Sequence, residues 1–413
     1  MQLGTYSMGI GDRFGLQGKA QLRALQMAAR EGIMITPVWN KSNREHELVH
    51  SEPIDTRLSA EEAVQEAGWD KPWFVDADHI SRGNVDRFLD HCNYFTLDVS
   101  DFIGKQAPGE AAGRFYRTNV SLTEDKSIPF LRELTSELLQ TVAEKYLYAV
   151  MEAAELYHHI HAHKKDFICE VSMDETDTPQ TPGELFFILK ALADYKVPVN
   201  TIAPKFSGRF NKGVDYAGDP EFFAREFEQD LLVVREARKR FPLPPDLKIS
   251  IHSGSDKFSL YPVIGRLIRK YQEGIHLKTA GTTWLEELAG LALGDEDGLE
   301  LAKRIYIKAL DRIDELTQPY RTVIDIKKEN LPPAEKVYQW SGNEFAAALR
   351  HDPQNPSFNP DFRQLLHVAY KIAAEYSNIY TQNVRVNERI IGELVTDNLY
   401  NKHIRKLFLI HKM

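Results

Sequence analysis

The stretch Trp73–Ile80, WFVDADHI, leads from an aromatic and aliphatic run into Asp76, Asp78 and His79. A buried strand that ends in two carboxylates and an imidazole has two readings. It enters a polar loop, or it delivers ionisable groups to a site. Its neighbours in the sequence decide between them.

Eight runs read as strands. They are LGTYSMGI (3–10), GIMITPVW (32–39), WFVDADH (73–79), NYFTLDV (93–99), DFICEVSM (166–173), VNTIAPKF (199–206), DLKISIHS (246–253) and GIHLKTA (274–280). Several are nearly unbroken β-branched and aliphatic runs, as expected of strands covered on both faces. Helical patterns lie between most of them: 18–32, ending at Gly32; 181–197, with Thr181 and Pro182 at its start; 219–241, with basic residues at its end; and 259–274, ending at Gly274. These starts and stops follow helix-end chemistry. Strand–helix alternation predicts parallel βαβ units, and eight of them predict a (β/α)8 TIM barrel. The expected organisation is a barrel over 1–283, with a short third crossover (80–92) and an inserted segment near 100–140. A mainly helical C-terminal extension over 284–413 follows. A doubly wound open sheet is the alternative.

The bulk properties narrow the function. The chain has 413 residues, 43% hydrophobic and 27% charged, with net charge −9. That balance gives no electrostatic support to a nucleic-acid partner. No apolar run reaches the roughly 18 residues of a membrane span. The N-terminus has no basic stretch followed by an apolar one, and Cys92 and Cys169 sit inside apolar runs. A cytoplasmic setting without disulfides is expected. A small-molecule partner fits these properties, and they permit a homo-oligomer.

Polar and ionisable residues gather at the predicted strand ends: Asp12 and Arg13, Asn40 and Lys41, Asp76, Asp78 and His79, Asp98, Glu170, Ser172 and Asp174, Lys205, His252, His276 and Lys278. Barrel enzymes build their sites on that face. Glu170, Ser172 and Asp174 share strand parity and point one way. His252 is followed by Ser253, Gly254 and Ser255, and the glycine would let backbone approach a ligand closely. The histidines of LYHHIHAHKK (156–165) do not share one helix face and read as a basic helix end. GIGDRFG (9–15) lacks the spacing of a nucleotide loop. Histidines and carboxylates at a barrel mouth predict a site for one divalent metal ion, of the Zn, Mn, Ni or Co kind. Such an ion polarises carbonyl and hydroxyl oxygens of a sugar.

FVDADHI, EVSMDETDTPQTPGEL, IAPKFSGRFNKGVDY, ISIHSGSDKFSLYPVIG, GIHLKTAGTTWLEEL, LLHVAYKIAAE and NLYNKHIRKLF together resemble the tagaturonate 3-epimerase family of hexuronate catabolism. The likeness covers nearly the whole chain. More distantly, Asp78–His79 and IHSGSD are similar to the Asp-His pair and HGGSG loop of class II, metal-dependent aldolases. The resemblance implies interconversion of D-tagaturonate and D-fructuronate, with fructose and tagatose as slower substrates. A class II-type aldolase acting on a keto sugar or keto sugar acid is the alternative. The resemblance makes Asp78 a proton shuttle, and His79 and His252 metal ligands. The aldolases' further histidine would fall near GRFNKG (208–213), which has none. Glu170 is therefore the expected third ligand, with Asp174 or His276 behind it. Asp174 is also the candidate proton acceptor on the opposite face. Lys205, Ser253, Ser255 and Lys278 are the expected substrate-binding residues, and Asp76 either orients His79 or hydrogen-bonds within the barrel interior.

Overall fold

The computed structural model describes residues 1–125, 127, 135–279 and 281–409. Part of the expected 100–140 insertion (126 and 128–134) and the end of the eighth expected strand (280) lie outside the described residues.

Eight parallel strands close into a barrel: β1 (Tyr6–Gly9), β2 (Ile35–Ser42), β3 (Phe74–Ile80), β4 (Tyr94–Asp98), β5 (Ile168–Ser172), β6 (Thr201–Ala203), β7 (Lys248–Ile251) and β8 (Ile275–Lys278). Each pairs with its sequence neighbour, and β8 closes on β1 with Tyr6 opposite Ile275. All eight expected strands are present, each within its predicted run or a few residues of it.

The alternating faces have different chemistry. The outward residues of β5, Cys169 and Val171, join the main core under the surrounding helices. The inward residues start apolar. Leu3, Val38, Phe74, Tyr94 and Ile168 form a separate small core at the N-terminal end of the barrel. One inward step further up lie Asp76, Thr96, Glu170 and His276, all buried. The barrel is thus sealed below with hydrocarbon and lined above with ionisable groups.

The helix Pro182–Asp194 starts at Thr181 with a reciprocal capping box to Glu184, as the sequence predicts. Pro220–Arg240 is capped by Asp219 and ends in Arg238, Lys239 and Arg240. Gly18–Arg30 stops just before Gly32. Tyr261–Tyr271 ends earlier than Gly274, because Gln272 takes the left-handed conformation at φ 55°. The third crossover holds a single 3-10 turn, Val85–Arg87. The fourth carries Gly109–Asn119, Ser136–Lys145 and Leu147–His163.

The chain after β8 is helical. Glu388–Asp397 packs on Gly18–Arg30, and a π-helical segment, Asn398–Leu409, packs on both Gly18–Arg30 and Tyr261–Tyr271. A Cβ on Gly265 would lie 2.1 Å from the Leu407 carbonyl oxygen, so this contact needs glycine. No helix among the described residues is long and apolar enough to cross a membrane.

Candidate active site

Lys278, on β8, is the hub of the barrel's polar layer. Its Nζ lies 3.0 Å from Asp76 Oδ2, 2.6 Å from Asp78 Oδ1 and 2.8 Å from Glu170 Oε1. It also donates to Thr96 Oγ1 at 2.7 Å. Burial would depress the ammonium's pKa, but Asp76, Asp78 and Glu170 hold it well above the ordinary lysine value. Burial would raise Asp78 and Glu170. Lys278 with His79 for the first, and Lys278 with His252 for the second, hold both carboxyls well below the ordinary range. Asp76 goes the other way. Burial outweighs Lys278, and repulsion from Asp78 and Glu170 adds to it, so its pKa rises to about 7.

His79 should point to the opposite side of β3 from Asp78. Two local features re-aim it. Its φ is 53°, and the β3–β4 register shifts between Ala77 and Ile80. A non-glycine residue in the left-handed region costs of order 1 kcal/mol and persists where the surroundings enforce it. Here His79 Nδ1 meets Asp78 Oδ1 at 2.9 Å. That leaves Nε2 facing Asp174 Oδ1 at 4.0 Å.

His252, just beyond β7, is oriented in a matching way. Its Nε2 meets Glu170 Oε1 at 2.8 Å. Its Nδ1 lies 3.3 Å from Asp174 Oδ2, yet it is a buried nitrogen without an aligned hydrogen-bond partner. The two histidine rings are 5.0 Å apart. Each imidazole therefore has a carboxylate on one nitrogen and turns the other toward Asp174. Ligand atoms of His79, Asp174 and His252 all lie within 4.8 Å of one another. A carboxylate on the far nitrogen is the usual way a metal-binding histidine is fixed. The orphaned His252 Nδ1 and this donor set fit a divalent cation.

Glu170, expected as the third ligand, occupies a different place. Oε1 takes Thr96 at 3.1 Å together with Lys278 and His252, and Oε2 takes Tyr94 at 2.9 Å and Thr201 at 2.7 Å. Both oxygens are already committed. Asp174 has capacity to spare, since its one other close donor is Ser172 Oγ at 2.5 Å. His276 is turned toward Ser7 instead, whose Oγ meets its Nδ1 at 2.8 Å. Burial lowers its pKa to about 3, so it stays neutral there.

The other strand-end residues separate by role. Asp12 accepts the backbone N–H groups of Gly15 at 2.9 Å and Gln17 at 2.6 Å, and Asp98 that of Ser100 at 3.1 Å, so both are turn-forming. Lys41 holds the Arg13 carbonyl at 2.7 Å. His159 pairs with Asp86 at 2.6 Å on the surface. Gly254 is glycine because of β8, not a ligand: a Cβ there would lie 2.4 Å from Leu277 Cδ1. Lys205, Ser253 and Ser255 make no contact with the Lys278 layer among the described residues. Lys205 is fixed through its backbone N–H on Gln180, at 2.8 Å. Asn40 Nδ2 lies 3.4 Å from Asp78 Oδ2, and Thr96, which the sequence reading does not single out, is a neutral member of the same layer. Strand parity with Asp76 and Asp78 was the signal that could have found it.

The loop after β7 is anchored by the tail. Arg363 Nη2 donates to both oxygens of Asp256 at 3.1 Å, and the Asp256 N–H donates to His403 Nε2 at 3.1 Å. Asp256 and Arg363 are both fully buried.

The sequence profile of tagaturonate epimerases matches residues 1–411. This chain belongs to the tagaturonate epimerase family. It is an isomerase of the carbohydrate-epimerase type. It is similar to the tagaturonate/fructuronate epimerase of Thermotoga maritima, 28% identical over 419 residues, covering 97% of this chain and 79% of that one. The fold is similar to a glycerol-bound crystal structure of the fructuronate-tagaturonate epimerase of Cohnella laeviribosi. The TM-score is 0.81 at 26% identity, with 98% of this chain and 82% of that one covered. The native form of that enzyme gives a TM-score of 0.77 at 26% identity, covering 97% and 81%.

Proposed function

We propose that this protein interconverts D-tagaturonate and D-fructuronate with one divalent metal ion, held by His79 Nε2, His252 Nδ1 and Asp174. The observation that carries this reading is the convergence of those three groups, two of them imidazoles oriented by Asp78 and Glu170. Family membership supplies the substrate.

The substrate explains why such a site is needed. The keto carbon is two carbons from the carbinol that inverts. Enolisation alone inverts only the adjacent carbon. Cleavage of the intervening C–C bond, rotation of the aldehyde fragment and re-addition inverts the right one. When bound, a divalent ion polarises the keto group and acidifies hydroxyls beside it. Asp78 takes the hydroxyl proton and returns it on re-addition. Its Oδ1 is held by His79 and Lys278, which leaves Oδ2, with its long contact to Asn40, for the substrate. Asp174 lies at the other edge of the His79 ring from Asp78 and is the candidate acceptor for the opposite face. Lys278 keeps Asp78 ionised rather than meeting substrate. Lys205, Ser253 and Ser255 remain the proposed contacts for substrate oxygens, and fructose and tagatose the proposed slower substrates.

Incubation of metal-loaded protein with D-tagaturonate, followed by 13C NMR, should show D-fructuronate approaching a fixed ratio. Absence of fructuronate would refute the reading. Free aldehyde fragments accumulating instead would favour a class II-type aldolase.

A further inference from the structure

GRFNKG (208–213), where the aldolase pattern would have a histidine, carries Lys212, which no role above uses. Its backbone is bolted in place. The Lys212 N–H donates to the Val323 carbonyl at 2.8 Å. Lys257 Nζ holds the Asn211 and Val214 carbonyls, each at 2.8 Å. Arg363 Nε holds the Gly213 carbonyl at 2.5 Å. The side chain is the opposite case. The half-buried amine has neither a hydrogen-bond partner nor a carboxylate partner among the described residues. Its Nζ lies 5.9 Å from the centroid of the Tyr320 ring.

Two other mouth cations are spent. Arg13 is paired with Glu45 at 3.0 Å and lies over Tyr370, and Lys41 holds Arg13 and Ser51. Two polar atoms beside Lys212 are also left open. Asn211 Oδ1 and His367 Nδ1 are buried without partners, and a Cβ on Gly213 would lie 3.4 Å from the His367 ring. Enclosing a charge without a counter-ion is costly, so a fixed site of this kind calls for an anion. A Cβ on Gly281, just beyond β8, would lie 2.4 Å from the same His367 ring and 3.3 Å from Arg13 Nη2, which places the Lys212 loop at the barrel mouth.

Resting on the epimerase reading above, we propose that Lys212 binds the carboxylate of the sugar-acid substrate and selects uronates over neutral ketohexoses. The carboxylate thus goes to Lys212, and Lys205 is left to the hydroxyls. The test is steady-state kinetics of metal-loaded Lys212→Gln, Lys212→Arg and Lys205→Gln on D-tagaturonate and D-tagatose. Lys212→Gln should raise KM for tagaturonate roughly 10- to 100-fold, the range expected for one lost charge-assisted hydrogen bond. Its kcat should change much less, and its tagatose turnover should match the unsubstituted enzyme. Lys212→Arg should recover most of the KM. A Lys212→Gln KM within about twofold of the unsubstituted enzyme, or a KM rise in Lys205→Gln for tagaturonate but not for tagatose, would overturn the assignment. Failure of the unsubstituted enzyme to act on tagaturonate would overturn the reading beneath it.

Discussion

Lys278 Nζ and Asp78 Oδ1 are 2.6 Å apart at the centre of a barrel in which one ammonium also serves Asp76 and Glu170. Removing one partner of a buried ion pair strands the others without compensation. Lys278→Met should therefore destabilise the fold by about 3–5 kcal/mol, read from the denaturant midpoint. A midpoint unchanged from the unsubstituted protein would show that the carboxylates do not depend on it.

The ligand set separates by metal content. His79→Ala, His252→Ala and Asp174→Ala should each lose bound metal, measured by elemental analysis of the purified protein. Glu170→Gln should keep a metal but bind it roughly 10- to 100-fold more weakly, the usual effect of removing a carboxylate behind a histidine ligand. Complete metal loss in Glu170→Gln, with metal retained in Asp174→Ala, would restore Glu170 as the third ligand.

Asp78→Asn removes the proposed proton acceptor while leaving an oxygen for His79 Nδ1. Turnover should fall roughly 10²- to 10⁴-fold, the range for one general base. Metal should be retained but bound more weakly, as in Glu170→Gln, so turnover is compared at saturating metal. Full activity would rule Asp78 out as the proton carrier.

The histidines set a pH dependence for protein stripped of metal. Burial would lower both, but Asp78 and then Asp174 raise His79 to about 10. Asp174 and then Glu170, against Lys278, raise His252 to about 9. Both folded values exceed the unfolded one near 6.5. Their stabilising contribution is complete below about pH 6.5 and is lost as pH rises through 9 to 10. Chelator-treated protein should lose melting temperature across that window. Protein loaded with metal should lose less, because the cation replaces the two protons. Identical melting curves from pH 7 to 10 would contradict the placement of the metal.

Much of this was legible in the residues. Eight apolar runs gave eight strands because parallel barrel strands are buried on both faces. Asp76 and Asp78 share parity, and both reach Lys278. The sequence does not separate Glu170 from Asp174 as the proposed third ligand, since the two have the same parity. The choice between them depends on which edge of the His252 ring each one meets. His79 Nδ1 meets Asp78 although strand alternation points the two side chains apart. A left-handed residue and a register shift turn it back, and neither leaves a mark in composition. Lys212 was passed over because its importance lies in the pairing of its neighbours, which spacing does not reveal. The π-helical end of the tail likewise depends on packing against Gly18–Arg30 and Tyr261–Tyr271.

The most direct test of metal-dependent inversion by C–C cleavage is turnover of D-tagaturonate in D2O by chelated and metal-restored protein, followed by NMR. The predicted result is fructuronate formed only by the restored protein, with hydrogen retained on the inverted carbon. Equal turnover by chelated protein, or deuterium at the inverted carbon, would contradict it.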